Sequence, residues 1–323
     1  MSRQNIVLSC TLATFNEEEN IERCLESVKE WVDEIVVVDG GSTDGTVEIA
    51  KKHGAKVEVR ENPKMFHINK NKANELAQGE WILQLDADEV VSEELGKEIR
   101  ELVQGQSTVM LNSFQHPRKY PAGPETRFAA RRASSGRQNK VELFERHRRV
   151  MEMRHGKIGT DEGEVVAYFV PRRNYFLGRL LKYGGMYPDG AVRLFKKGFA
   201  KLPEKDLHEI YEIKGRVGWL NGDLLHYDSP TFERYLERNN RYSSRFAEEM
   251  KAKGVKVNLI NSLYYMIWKP KITFLMIYFR HKGFLDGFPG LVWAVYSALT
   301  WVGAWVKLWE KDRNSGARSQ NSE

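Results

Sequence analysis

Two carboxylates that could do chemistry, Asp86 and Asp88, follow a short and almost continuously apolar run that begins at Trp81. Such a run predicts a strand buried on both faces, and strand alternation would point both acids the same way at its carboxyl end. Ligands of open α/β sheets bind at that edge. Two carboxylates there are suited to a hard divalent cation, which could in turn hold a diphosphate. An acid-x-acid pair alone is a weak signal, because many such pairs are solvated turns.

Three strand-and-helix pairs precede this one and predict the elements that position it. The strands are expected at 6–12, 35–38 and 56–60. One helix follows each strand, and the third of these helices, at 69–78, precedes Trp81. Strands that alternate with helices require crossover connections and a parallel sheet. We therefore predict an α/β fold with a mostly parallel sheet and helices on both faces.

Two of the earlier strands also end in polar residues, at 14–17 and at Asp39. Asp39 could accept hydrogen bonds from a base or a ribose, while a cation at Asp88 held the phosphates of a nucleotide. The alternative is that these acids only cap helices, a role in which Asp is common. That alternative weakens when all the strand ends are considered together.

The bulk properties are those of a globular protein with a basic surface. The 323 residues suffice for one large α/β domain with an appendage or for two small domains. A net charge of +6 suits a partner with phosphate groups or an anionic membrane. Cys10 and Cys24 fall at apolar positions, which favours buried, reduced thiols and a reducing compartment. No apolar signal segment opens the chain, so we do not expect export.

The motifs of this half resemble those of a known enzyme family. They are Thr14-Phe15-Asn16-Glu17-Glu18-Glu19-Asn20-Ile21, Val37-Val38-Asp39-Gly40-Gly41-Ser42-Thr43-Asp44-Gly45-Thr46 and Asp86-Ala87-Asp88-Glu89. Their order and spacing are similar to those of the family 2 inverting glycosyltransferases, which have the Rossmann-like GT-A fold and use nucleotide-diphosphate sugars. The resemblance implies donor contacts for the following residues: Ala13, Thr14, Glu17, Asp39, Lys70, Asn71 and Asp86. It also implies a divalent cation, Mn²⁺ or Mg²⁺, held by Asp88 together with Asp86.

The second half resembles a subgroup of that family, the lipopolysaccharide-core β-1,4-glucosyltransferases. The stretches that carry this resemblance are Arg172-Arg173-Asn174-Tyr175-Phe176-Leu177-Gly178, Gly184-Gly185-Met186-Tyr187-Pro188-Asp189, Val192-Arg193-Leu194-Phe195, His208-Glu209 and Gly222-Asp223-Leu224-Leu225-His226-Tyr227. Inversion needs one carboxylate that takes the proton of an attacking hydroxyl. The subgroup's acidic motif implies Glu209 for that role, against the alternative of a surface ion pair with Lys205 or Lys214.

Two further residues of this half are candidates for the site. Asp189 is the second choice as a catalytic residue and is expected to position Arg193 or an acceptor hydroxyl. GT-A enzymes often complete the metal site with a late histidine, which makes His226 a candidate ligand. A lone histidine is more often simply hydrogen-bonded, and this alternative stays open.

A basic segment at 111–165 looks like an insertion between the two halves. Seven arginines concentrated in its central part make it strongly basic: Arg127, Arg131, Arg132, Arg137, Arg146, Arg148 and Arg149. A solvated surface excursion is one interpretation, and a clamp for an anionic acceptor or lipid headgroups is the other. Aromatic residues for base stacking are few in this segment, so we expect no nucleic-acid partner.

The C-terminal part is apolar, rich in tryptophan and flanked by basic residues. The uncharged run at 291–306 is shorter than the roughly 20 residues of a spanning helix. Trp301, Trp305 and Trp309 recur every four residues, and basic side chains suit anionic headgroups. We favour a pair of helices lying in the inner leaflet. A spanning or re-entrant segment and a soluble oligomer interface are the alternatives.

The sequence thus predicts an inverting, metal-dependent hexosyltransferase on the cytoplasmic face of the inner membrane, acting on a lipid-linked saccharide. The alternatives are transfer to a polyprenyl phosphate and a non-catalytic sugar-nucleotide-binding scaffold. The predicted organisation is a donor-binding half at 1–110, the insertion at 111–165, an acceptor-binding half at 166–250, membrane-associated helices at 251–310 and a disordered tail at 311–323.

Overall fold

The computed structural model describes residues 6–63, 65–105, 136–203 and 211–320, with backbone only at 136–143, 154–155 and 315–320. These residues form two compact units that are interleaved along the chain. Unit 1 comprises Met1–Arg172 and Pro188–His226, and unit 2 comprises Arg173–Tyr187 and Tyr227–Glu323.

Unit 1 is an α/β unit, as predicted. Its elements in chain order are β1 (Leu8–Thr14), α1 (Glu18–Glu26), β2 (Glu34–Asp39), α2 (Thr46–Lys52), β3 (Lys56–Val59), α3 (His67–Leu76), β4 (Trp81–Leu85), β5 (Glu89–Val91), α4 (Glu93–Val103), α5 (Gly136–His155), β6 (Val165–Phe176), β7 (Arg179–Leu180, in unit 2), β8 (Asp189–Lys196), β9 (Ala200–Lys201), β10 (Glu212–Ile213), β11 (Arg216–Trp219) and β12 (Leu224–Ser229). The main sheet has the order β3-β2-β1-β4-β8-β6-β12-β5, and β9 and β10 form a separate pair.

The first four strands are parallel, and the later strands extend the sheet with mixed directions. β1 lies between β2 and β4 and runs parallel to both, with Thr14 opposite Asp39 and Leu12 opposite Leu85. β8 joins β4 antiparallel, and β12 pairs antiparallel with β5. The carboxyl ends of β2, β1 and β4 therefore meet at one edge, because neighbouring parallel strands end on the same side.

Helices cover both faces of the sheet, which explains the apolar runs of the central strands. Alternate residues of β4 enter two different cores, with Leu83 in one and Ile82 in the other. The first core contains Leu25 of α1 and Leu95 of α4. The second contains Phe144 of α5, a helix within the predicted insertion. The sequence did not predict this helix, since its apolar residues are few and widely spaced.

Unit 2 is mainly helical. After β7 its elements are α6 (Phe232–Ala252), α7 (Leu259–Leu263), a π-helical turn (Tyr264–Trp268), α8 (Lys269–Leu275), a second π-helical turn (Met276–Arg280), a 3₁₀ turn (Gly283–Asp286) and α9 (Gly287–Gln320). α9 packs along α6, with Ala304, Trp305 and Leu308 buried against Ala247 and Met250. The backbone of α9 continues helical to Gln320, into the segment for which the sequence predicted disorder.

One helical stretch among the described residues, 283–314, is long and apolar enough to cross a membrane by length and composition alone. A third of its most apolar window is buried inside the protein. Core helices of soluble proteins share these properties, so length and composition do not decide its role. The two cysteines are free and buried, as predicted.

Candidate functional site

The loops after β1 and β2 are held together by a buried carboxylate. Asp39 is fully buried, and its Oδ1 accepts hydrogen bonds from the backbone N–H groups of Gly41 (3.0 Å) and Ser42 (2.7 Å). Its Oδ2 accepts from the hydroxyls of Ser42 (2.6 Å) and Thr14 (2.8 Å). A carboxylate offers about four lone-pair sites, so these bonds occupy it fully. In this conformation Asp39 orders the loop, and nucleoside binding stays a prediction.

Two more residues predicted to contact the sugar-nucleotide donor, Ala13 and Glu17, flank the same loops. Ala13 lies in β1 opposite Val38. The backbone N–H of Glu17 donates to the Thr46 hydroxyl (2.8 Å), and its carboxylate accepts a hydrogen bond from the Asn20 amide (2.8 Å). These contacts join the β1 loop to the start of α2 and fix the edge at which Thr14 and Asp39 lie.

Asp86, at the carboxyl end of β4, is held between two cations. Its Oδ1 contacts the Lys70 ammonium, and its Oδ2 accepts a hydrogen bond from Arg193 at 2.5 Å. Burial by itself would raise the pKa of the Asp86 carboxyl, but Arg193 and then Lys70 outweigh burial and hold that pKa well below its usual range. Asp86 is therefore a carboxylate whose charge is already balanced by the protein.

A buried ion network that the sequence did not predict supports Asp86. Glu89 has no exposed surface, and its Oε1 accepts hydrogen bonds from Arg193 Nη2 (2.7 Å) and Nε (3.2 Å). Its Oε2 accepts the backbone N–H of Asp86 at 3.0 Å. The remaining Arg193 nitrogen donates to Gln84 (2.8 Å), and Arg172 lies 3.5 Å from Glu89. The only sequence signal was that Glu89 closes the acidic motif and that both arginines lie in family-like stretches.

Asp88 lies in a different environment from Asp86, although only one residue separates them. Its Oδ2 lies 3.6 Å from Nε2 of His226, and both side chains are largely buried. Burial raises the pKa of the Asp88 carboxyl, but the contact with His226 outweighs it and lowers the pKa overall. The pairing arises because β12 runs beside β5, which places His226 opposite Glu89 in the register. Asp228 follows two residues later on this strand, and alternate residues of a strand share a face.

The carboxylate and imidazole of this pair fit a divalent cation. Ligand atoms that share one ion at about 2.1 Å lie roughly 3–4 Å apart, depending on the angle between them. The separation of 3.6 Å falls within that range. The carboxylate suits Mn²⁺ or Mg²⁺, and the imidazole favours the transition metal of these two.

Lys70 and Asn71 are adjacent in α3 but reach different partners. The Lys70 ammonium contacts Asp86 and lies 5.1 Å from the centre of the Phe66 ring. The Asn71 amide donates to the backbone carbonyl of Leu202 (2.8 Å) and accepts from its N–H (3.0 Å). Both ends of Asn71 therefore clamp a backbone segment, whereas Lys70 lies at the edge of the sheet.

Of the two candidate catalytic residues, Asp189 and Glu209, the structure describes Asp189. Asp189 makes an ion pair with Arg172 at 2.8 Å, its partner in the β6–β8 register. Arg193 pairs with Glu89 and Asp86, and the expectation that Asp189 positions Arg193 or an acceptor hydroxyl stays a prediction. Asp189 and Arg193 are four residues apart on β8, and the network draws Arg193 towards β4. Glu209 lies outside the described residues, as do Arg127, Arg131 and Arg132.

Comparisons with known proteins agree with the motifs. Residues 9–160 match the model of Glycosyl transferase family 2. An uncharacterized glycosyltransferase of Rickettsia typhi is 28% identical over 88% of this chain and 80% of its own length. The lipopolysaccharide core biosynthesis glycosyltransferase LpsC of Rhizobium meliloti is 25% identical over 90% of each chain.

Among solved structures, a glucosyl-3-phosphoglycerate synthase from Mycobacterium tuberculosis, in complex with Mn²⁺, uridine diphosphate and glucosyl-3-phosphoglycerate, is 26% identical. The match covers 32% of this chain and 40% of that one, with a TM-score of 0.26. An overlap this small supports no argument about the present site.

Proposed function

We propose that this chain is a family 2 glycosyltransferase. It moves a hexose from a nucleotide-diphosphate sugar to a hydroxyl of a lipid-linked or lipopolysaccharide-core saccharide, with inversion. The observation that carries the proposal is the pairing of Asp88 with His226 beside the charge-balanced Asp86. A metal ligand pair and a cationic cluster at one sheet edge are what a sugar diphosphate needs.

In this proposal Asp88 and His226 hold a divalent cation, with Asp86 beside them. When bound, the cation supplies Lewis-acid stabilisation for the negative charge that grows on the departing diphosphate. Lys70 turns its ammonium from Asp86 to a phosphate oxygen of the donor. Arg193 stays on Asp86 and Glu89 and keeps the carboxyl end of β4 in place. Asp39 keeps the loops of β1 and β2 in the shape that receives the nucleoside.

Glu209 is the proposed general base. It accepts the proton of the acceptor hydroxyl while the hydroxyl oxygen bonds to the anomeric carbon and the bond to the diphosphate breaks. Asp189, which makes an ion pair with Arg172, is the second choice for that role. A location on the cytoplasmic face of the inner membrane is supported by the free buried cysteines and by the similarity to LpsC.

Thermal shift tests donor and metal together without an acceptor. The protein is heated with a panel of nucleotide-diphosphate sugars, uridine diphosphate glucose included, with Mn²⁺, Mg²⁺ or chelator. We expect one donor to raise the melting temperature only when the cation is present. Asp88→Asn should abolish that shift and lower transfer about a hundredfold or more, because a ligand charge is lost. Asp161→Asn, an exposed carboxylate paired with Lys157, is the matched control and should keep both.

The same assays separate the alternatives. Stabilisation by a donor that is identical with chelator would remove the metal from the proposal. Glu209→Gln should bind the donor normally and lose transfer. Full transfer to a polyprenyl phosphate by that variant would instead favour a phosphate acceptor, which needs no base.

A further inference from the structure

A long stretch of unit 2 exposes apolar side chains. α7, the two π-helical turns and α8 continue without a break from Leu259 to Arg280, followed by the 3₁₀ turn and the start of α9. We call residues 259–288 the apolar-cationic segment. Ile260 is 78% exposed and Phe288 71%. The other exposed apolar residues of the segment are Leu259, Leu263, Tyr264, Met266, Ile267, Trp268, Ile272, Leu275, Met276, Phe279, Phe284 and Leu285. Soluble monomers rarely expose contiguous apolar surface on this scale.

The charges of this region have a single sign at the surface. Between residues 259 and 309 the sequence contains one acid, Asp286. That acid is 2% exposed, and its carboxylate accepts hydrogen bonds from the backbone N–H groups of Lys182 (3.2 Å) and Tyr183 (2.8 Å). The basic residues of the segment are Lys269, Lys271, Arg280 and Lys282, and the last three are exposed. The segment therefore combines apolar and cationic side chains with no exposed carboxylate.

α9 is unsuited to crossing a bilayer because of its partner in unit 2. It packs along α6, where Asn239 donates a hydrogen bond to the Thr300 hydroxyl (2.9 Å) and Lys307 contacts Asn240 and Ser243. α6 carries charged residues along its length: Glu233, Arg234, Glu237, Arg238, Arg241, Arg245, Glu248, Glu249 and Lys251. Charged side chains are strongly disfavoured in hydrocarbon, so α6 would have to separate from α9 before α9 could span a membrane.

A second copy of the chain is a poor occupant of the same surface. A symmetric dimer places the same patch on both sides of the interface. Exposed Lys271, Arg280 and Lys282 would then face like charges, and lysine is depleted at interface cores. Anionic lipid headgroups match these cations, while Trp268, Tyr264 and Phe279 have the aromatic character favoured at the membrane–water boundary.

We propose that the apolar-cationic segment docks unit 2 on an anionic lipid bilayer, with its helical axis in the plane of the interface and no residue crossing the membrane. Apolar side chains enter the acyl boundary, and the basic residues contact lipid phosphates. The functional role of this docking rests on the proposed transfer reaction, since a lipid-linked acceptor would be held in the same bilayer.

Vesicle flotation of the full chain tests the docking. Purified protein is mixed with preformed vesicles of phosphatidylcholine alone or with about one third phosphatidylglycerol. We expect binding to the anionic vesicles to be at least about tenfold stronger, and to weaken as salt is raised. Lys271→Glu with Arg280→Glu and Lys282→Glu should lower this binding at least about tenfold. Lys51→Glu with Lys52→Glu, an exposed pair in α2, is the control and should not change it.

The apolar contribution has its own variant. Ile260→Ser with Ile267→Ser should weaken binding to both vesicle types about tenfold. Val59→Ser with Met153→Ser, exposed apolar residues of unit 1, should bind as the wild type does. Equal binding to neutral and anionic vesicles, or unchanged binding by the segment variants, would overturn the proposal. So would a dimer in light scattering that Ile260→Ser with Ile267→Ser dissolves while vesicle binding persists.

A measurement of donor binding distinguishes failure of the docking proposal from failure of the proposed function. Thermal shift with the donor and Mn²⁺ needs no membrane, so the segment variants should retain it. Loss of vesicle binding with intact donor binding is the expected result for them. A wild type that binds vesicles but no donor would contradict the proposed function and leave the docking surface in place.

Discussion

Units 1 and 2 place charged and apolar side chains in opposite ways. Unit 1 buries Glu89 and Arg193 beneath the edge of its sheet and covers its apolar strands with helices. Unit 2 carries many of its charges along α6, buries Asp286, and leaves a long apolar stretch exposed. Buried charges lose their hydration on folding, and apolar surface that stays exposed contributes no hydrophobic stabilisation. The proposed donor site and the proposed docking surface both lie where a unit departs from the usual distribution of charged and apolar side chains.

The largest expected effect on stability comes from the buried charges of unit 1. Arg193→Met would leave Glu89 buried with its main partner gone. Removal of one member of a buried pair typically costs about 3–5 kcal/mol. We expect a loss of that size in the free energy of unfolding, measured by urea denaturation followed by circular dichroism.

A double variant provides the control for that prediction. Arg193→Met with Glu89→Gln removes the unpaired charge and should recover part of the lost stability. Ile260→Ser in unit 2 should leave the urea midpoint unchanged, because its side chain is exposed. If Arg193→Met also left the midpoint unchanged, the contrast between the units would have no energetic basis.

A smaller effect is expected at Asn71, whose family-based role is donor binding. Asn71→Ala removes two buried hydrogen bonds to the backbone of Leu202. The unsatisfied backbone groups should cost about 1–3 kcal/mol in unfolding free energy. Asn62→Ala, at an exposed position, is the control. Unchanged stability together with weaker donor binding would assign Asn71 to the donor instead.

The smallest expected effect is the pH dependence of the stability that Glu34 contributes to unit 1. The buried Glu34 carboxylate accepts hydrogen bonds from Ser9, the Gln78 N–H and Lys56. Burial raises the pKa of Glu34, but the Gln78 and Lys56 contacts outweigh burial and lower it overall. A lowered folded-state pKa contributes stability above the unfolded value of about 4.3, and this stability is lost as the pH falls through the folded pKa.

Urea titrations of the wild type and Glu34→Gln at several pH values measure this contribution. The wild type should be more stable at pH 7, and the difference should shrink towards pH 3. Glu94→Gln, at an exposed position of α4, is the control. A difference that grew on acidification would show that the sign of the pKa shift is wrong.

Local patterns predicted the elements of unit 1 well, and long-range contacts explain what was missed. The apolar runs at β1, β2 and β4 were identified because each run is complete within a few consecutive residues. α5 was missed because Phe144 packs against Phe169 and Trp219, residues that are distant in sequence. The unexpected pairing of Asp189 with Arg172 depends on the register of β6 with β8 in the same way.

Local sequence patterns were sufficient for the α/β class, the strand ends that carry acids, the family-like motifs and the apolar, basic character of the C-terminal part. All of these depend on neighbours within a few residues. The contacts of Asp86 with Lys70 and Arg193, and of Asp88 with His226, depend on the folded arrangement of the strands. The two acids are one residue apart, but their surroundings are set by strands β8 and β12, which join the sheet more than a hundred residues later. The sequence specifies which side chains are charged, whereas the partner that balances each charge depends on which strands pair.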